Sequence, residues 1–120
     1  MSRLSTHVLD LALGQPARAL AVRLDLITRA GAGPAPGEDP VLVSTAVTDH
    51  DGRVVDLLGG VPLTAGVYRL AFQTGEYFAA TGRATFYPLV EVTFQVTAPD
   101  QHHHVPLLLS PFGYSTYRGS

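Results

Sequence analysis

From Val90 to Thr97 the side chains alternate without a break. Val90, Val92, Phe94 and Val96 are apolar, and Glu91, Thr93, Gln95 and Thr97 between them are polar. Successive side chains leave a strand on opposite faces, so this order fits a half-buried strand and not a helix of period 3.6. The same period appears over 20–28, where Leu20, Val22, Leu24 and Leu26 share one side and Arg23 and Asp25 the other. It appears again over 67–74, where Tyr68, Leu70 and Phe72 alternate with Arg69 and Gln73. Fainter strands fit 7–13, 41–47, 103–109 and 114–118. Asp49-His50-Asp51-Gly52 reads as a turn into a short strand at 53–55. One segment breaks the rule. T-G-E-Y-F-A-A-T over 74–81, followed by Gly82, predicts a short helix that Thr74 caps, Tyr77 and Phe78 anchor inward and Gly82 ends. Short strands separated by turn signals predict an all-β, two-sheet sandwich with one short helix.

A chain of 120 residues suits one domain, 1–120. The Gly-, Ala- and Pro-rich stretch 30–40 reads as an exposed connection within it. Only 15% of the residues are charged, against 46% hydrophobic, so little polar material is available to cover a lone monomer, which points to a subunit interface. The basic residues are all Arg. Without Lys there is no Schiff base and no phosphate-loop lysine, and without Cys there is no disulfide, thiolate nucleophile or thiolate-bound metal. A net charge of -2 lacks the basic footprint of a nucleic-acid binder. No segment approaches a membrane span or a signal-peptide core, so the expected compartment is the cytoplasm.

The candidate chemistry rests on histidine and arginine. On a strand, His7 shares a face with Ser5 and Leu9; its plainer reading is a residue at the rim of a sheet. In the run His102-His103-His104, the first and third point one way and the second the other. Two histidines on one face invite a metal, with Asp100 near in sequence. Pro99-Asp100 reads as a turn, however, and zinc needs three or four ligands, so no metal site is expected. Arg53, after Asp51-Gly52, is either an ordinary exposed arginine or a fixed planar cation facing a polar substrate. The C-terminal stretch from Ser110 carries Phe112, Tyr114 and Tyr117 in a strand-like alternation that places Ser115 and Tyr117 on one face. No G-x-S-x-G elbow supports a serine nucleophile.

The motifs L-S-T-H-V-L-D at the start, D-G-R at 51–53, F-Y-P at 86–88 and H-V-P-L-L-L-S-P-F-G-Y-S-T-Y-R-G-S at the end resemble the 5-hydroxyisourate hydrolases of the transthyretin-related family. The likeness runs from Leu4 to Ser120, and the closing Y-R-G-S is its most specific part. It implies a transthyretin-like sandwich of two four-stranded sheets. It also implies a homotetramer, a dimer of dimers, with active sites in a channel between the dimers. Position by position it implies His7, Arg53 and His104 as catalytic residues. His7 and Arg53, with Ser115 and Tyr117, would also bind substrate. The chain departs from the family in having His103 where a tyrosine is common, and in lacking tryptophan.

The implied reaction hydrolyses a ring amide of 5-hydroxyisourate, a small-molecule substrate, to 2-oxo-4-hydroxy-4-carboxy-5-ureidoimidazoline, on the route from urate to allantoin. Histidine suits the proton transfers because its ordinary pKa is about 6.5. Arg53 suits the developing oxyanion or the polar edge of the substrate. Which histidine is the base stays open, and no cofactor is implied. The rival readings are a transthyretin-like small-ligand carrier without catalysis, which needs a mostly apolar channel, and a structural sandwich with no small-molecule site.

Overall fold

The computed structural model describes residues 4–29 and 40–119, without the side chain of Arg29. The predicted connection at 30–40 lies almost wholly outside them. The strands are β1 (Leu4–Asp10), β2 (Gln15–Pro16), β3 (Ala21–Arg29), β4 (Val41–Val47), β5 (Arg53–Val54), β6 (Gly66–Phe72), β7 (Val90–Val96), β8 (His103–Ser110) and β9 (Gly113–Thr116). The helix α1 (Thr74–Ala80) lies between β6 and β7.

The strands form a two-sheet sandwich, as the alternation predicted. One sheet is four-stranded and antiparallel in the order β4-β3-β6-β7. The other runs β2-β1-β8-β9, with β5 as a fifth strand on β1. It differs from the four strands expected because two short strands share the outer edge of β1. There β5 pairs with Thr6 and His7, and β2 pairs with Leu9 and Asp10. Between them Val8 donates its N–H to Gly52 O at 2.7 Å and accepts from Ala17 N–H at 2.9 Å, so its backbone groups stay satisfied across the gap. β1 and β8 are parallel, with Ser5 opposite His104 and His7 opposite Pro106.

The inner faces meet in one core. Leu4 and Val8 of β1 and Leu107 and Leu109 of β8 pack with Leu24 of β3 and Leu70 and Phe72 of β6, all fully buried. Burying such side chains stabilises by about 1.5–3 kcal/mol each.

Tyr77 and Phe78 of α1 are buried, as predicted. The start of the helix differs from the prediction. Gln73 holds the N-cap position, and Thr74 instead donates its hydroxyl to Tyr87 O at 2.6 Å. Gly75 N–H donates to Pro88 O at 2.8 Å, so the F-Y-P segment is tied to the first turn. The helix ends as predicted at Gly82. Its φ is +70°, its N–H reaches Ala79 O at 3.1 Å and the Arg83 N–H reaches Phe78 O at 2.9 Å. That pair of bonds is a Schellman motif, which a left-handed glycine permits. Among the described residues no helix is long and apolar enough to cross a membrane.

Candidate active site

Strand parity sorts β1 into two faces. Leu4, Thr6, Val8 and Asp10 are buried on the core side. Ser5, His7 and Leu9 therefore lie on the outer side. The outer side of β8 carries His104, Pro106 and Leu108, since Val105, Leu107 and Leu109 point into the core. His103 also turns inward, as predicted. It is 5% exposed, and its Nδ1–H donates to Gln101 O at 2.9 Å. Burial, foremost, lowers its pKa, which keeps the ring neutral.

Arg53 reaches this face because a tight turn delivers it. The Asp49 carboxylate accepts the backbone N–H groups of Asp51 at 2.9 Å and Arg53 at 3.0 Å. Those bonds, Arg53 first, hold the Asp49 carboxyl below its ordinary range. Gly52 has φ +75°, and a Cβ there would also collide with Val8 O, so only glycine lets the turn approach β1 so closely. The outcome is Arg53 directly opposite His7. The ring of His7 reaches back to the same turn: its Nε2 lies 3.0 Å from Asp51 O. A carbonyl only accepts, so Nε2 of His7 carries its proton.

His104 is held from two sides. Its Nδ1 lies 2.8 Å from Ser5 Oγ, and the same oxygen lies 3.0 Å from Nε2 of His102. Gly119 forms a bridge with His104, donating its N–H to His104 O at 2.8 Å. Burial lowers the pKa of His104, and the nearby charges of His102, His7 and Arg53 lower it further. The ring is therefore neutral at neutral pH, with Nδ1 engaged by the Ser5 hydroxyl.

Ser5, Thr6, Arg53, Val55, His102 and His104 line a cavity of about 330 Å³. Of the residues singled out in the sequence, His7, Arg53 and His104 come together here: two line the cavity or its wall, and His7 stands beside Arg53. Ser115 and Tyr117 do not join them within one chain. Ser115, opposite Leu108, occupies the same outer face but not the cavity. Tyr117 is 57% exposed and lines a separate hollow of about 250 Å³ with Val92, Phe94, His103 and His104. Sequence reasoning missed Ser5 and Gly119 and treated His102 only as a possible ligand. The shared strand face of His102 and His104 was the one available signal. A larger hollow of about 800 Å³, between α1 and the turn after β1, holds His50 but none of the other candidate residues. Among the described residues, no three His, Cys, Asp or Glu side chains gather as a metal-ligand set.

Comparison with known proteins gives concordant results. The family described as "HIUase/Transthyretin family" matches residues 4–119. A 5-hydroxyisourate hydrolase of Mus musculus is 44% identical over 119 residues, covering 99% of this chain and 96% of its own length. The structure of Klebsiella pneumoniae 5-hydroxyisourate hydrolase aligns with TM-score 0.77 and 37% identity, covering 100% of this chain and 94% of that one. Sea bream transthyretin in complex with thyroxine aligns with TM-score 0.83 and 30% identity, covering 98% of this chain and 94% of that one.

Proposed function

The chain belongs to the HIUase/Transthyretin family, and from that membership we propose that it is a hydrolase that opens the ring amide of 5-hydroxyisourate to give 2-oxo-4-hydroxy-4-carboxy-5-ureidoimidazoline. The observation that carries the reading is the polar cavity in which a neutral His104 faces Arg53. His104 takes a proton from water at Nε2 as the water attacks the ring carbonyl. Arg53, fixed by its turn, stabilises the charge growing on the carbonyl oxygen. The protonated His104 then returns the proton to the leaving nitrogen. His7, whose Nε2–H is directed to Asp51 O, orients the substrate beside Arg53. These steps need proton transfer and charge stabilisation, and no cofactor or metal is proposed.

Ser115 and Tyr117 complete the site in a homotetramer. Ser115 shares the outer face with His7 and His104, and Tyr117 borders His104 from the neighbouring hollow. A dimer of dimers that buries this face would bring such groups over each other's cavities. A cytoplasmic location completes the proposal.

The sea bream likeness favours a second reading, a carrier of a small ligand, because a fold alone does not separate the two. The histidines and arginine of the cavity weigh against it, since a site for an apolar ligand is lined mostly by apolar side chains. The test is the ultraviolet absorbance of freshly generated 5-hydroxyisourate with and without the protein. Catalytic loss of the signal at substoichiometric protein is expected. Decay at the spontaneous rate would overturn the hydrolase reading.

A further inference from the structure

A serine hydroxyl has one proton to give. The hydroxyl of Ser5 lies within hydrogen-bond distance of two imidazoles, Nδ1 of His104 at 2.8 Å and Nε2 of His102 at 3.0 Å. It can donate to only one of them. If it donates to His104, then Nδ1 of His104 holds a lone pair, the proton of the neutral ring sits on Nε2, and the nitrogen left for chemistry is a donor. If it donates to His102, then His104 donates from Nδ1–H and keeps its lone pair on Nε2. The proton inventory of one hydroxyl thus decides whether His104 enters the cycle as a base.

We propose that Ser5 is a positioning residue that gives its proton to His102 and accepts the Nδ1–H of His104, and so holds His104 in the tautomer that is basic at Nε2. The proposal deepens the hydrolase reading and rests on His104 as the base. Three features support the arrangement. The backbone sets the spacing, because Ser5 and His104 face each other in the parallel register of β1 and β8. Ser5 is 8% exposed, so water competes little for its hydroxyl. The bond also survives the reaction: a proton arriving at Nε2 leaves Nδ1–H on the Ser5 oxygen, and no partner has to turn over. A neutral hydroxyl orients the ring without placing a negative charge beside it.

Nitrogen-15 histidine shifts, read through two-bond proton correlations, report the tautomer without reference to turnover. In the wild-type protein His104 should show a protonated Nδ1 and an unprotonated Nε2. In Ser5→Ala the balance should move toward Nε2–H, and kcat should fall about tenfold, a part of the hundredfold or more that a general base supplies, with KM nearly unchanged. Ser5→Thr, which keeps the hydroxyl, should restore both. His102→Ala, at an exposed position, leaves the Ser5 proton free to turn to His104 and should shift the tautomer in the same direction as Ser5→Ala. A wild-type His104 protonated on Nε2, an unchanged tautomer in Ser5→Ala and His102→Ala, or failure of Ser5→Thr to restore it would overturn the proposal. A protein with the expected tautomers but no ring opening would instead overturn the hydrolase reading.

Discussion

Gly119 lies directly against the imidazole of His104: a Cβ at position 119 would stand 2.6 Å from Cδ2 and 3.2 Å from Cγ of that ring. No real side chain fits there, so Gly119→Ala must push the ring or the terminal strand aside. Ser5 holds the opposite edge at Nδ1, which makes the ring lose aim when it moves. Misplacing a reacting group by about an ångström costs about a hundredfold. Gly119→Ala is therefore expected to lower kcat about a hundredfold while the unfolding midpoint in urea changes little. Wild-type turnover in that variant would show that the contact does not steer the ring.

The two groups assigned to the chemistry make a sharper prediction. His104→Ala and Arg53→Ala should each lower turnover about a hundredfold or more, the lower range for losing a general base or a charge stabiliser. Arg53 is exposed and anchored through its backbone N–H to Asp49, so its truncation should leave the fold intact. Circular dichroism checks the fold and ring opening the activity. Near-wild-type rates in either variant would remove that residue from the mechanism.

β7, whose buried side chains are all apolar, was the easiest to read and is one residue shorter than its predicted span. The fainter reading at 41–47 also matches the span of β4, none of whose side chains is fully buried. β1 starts at Leu4, not at His7, because polar residues conceal its period. Thr6 and Asp10 belong to the buried face, satisfied by Val105 O at 2.6 Å for Thr6 and by Arg83 and Tyr77 for Asp10. Hydrophobic alternation cannot register a buried hydroxyl or carboxylate whose partner is distant in the chain. β2 has two residues, too few for any period. The same reason explains the site. His7, Arg53 and His104 came from motifs, whereas Ser5 meets its histidines across nearly the whole chain, and only the β1–β8 register brings them together.

The lowered pKa of His104 fixes the sign of the pH response. A base works when unprotonated, so activity falls as pH drops through its pKa. Burial, with His102, His7 and Arg53 adding to it, puts that pKa below 6.5, so the acid limb of kcat/KM should lie below that value. Arg53→Gln removes one of those charges and should move the His104 titration, followed by NMR, to higher pH. An acid limb above 6.5, or an Arg53→Gln variant that titrates lower, would contradict this.

Asp10 offers the largest stability prediction. Its side chain is fully buried at the end of β1, where it accepts Arg83 Nη2 at 2.6 Å and the Tyr77 hydroxyl at 2.7 Å. Burial alone would raise the carboxyl, but the bonds from Arg83, Tyr77 and the Leu13 N–H outweigh it and hold the pKa below 3.8. The carboxylate thus ties β1 to α1 and to Arg83 in the segment that follows the helix. Removing one partner of a buried charge pair costs about 3–5 kcal/mol. Arg83 is 21% exposed and can turn toward water, so Asp10→Ala should cost about 3 kcal/mol, the lower end of that range. The sign with pH follows from the depressed carboxyl. The stabilisation is complete above the unfolded value of 3.8 and is lost as pH falls through the lower folded one. On the alkaline side, burial first and Asp10 second push Tyr77 up to about 12, so its contribution holds below the unfolded value of 10.0 and fades as pH rises toward 12. Urea unfolding of wild type and Asp10→Ala between pH 2 and pH 7 should therefore show a gap that is widest at pH 7 and narrows in acid. A gap that stays constant across that range would mean that the carboxylate charge contributes nothing to the joint.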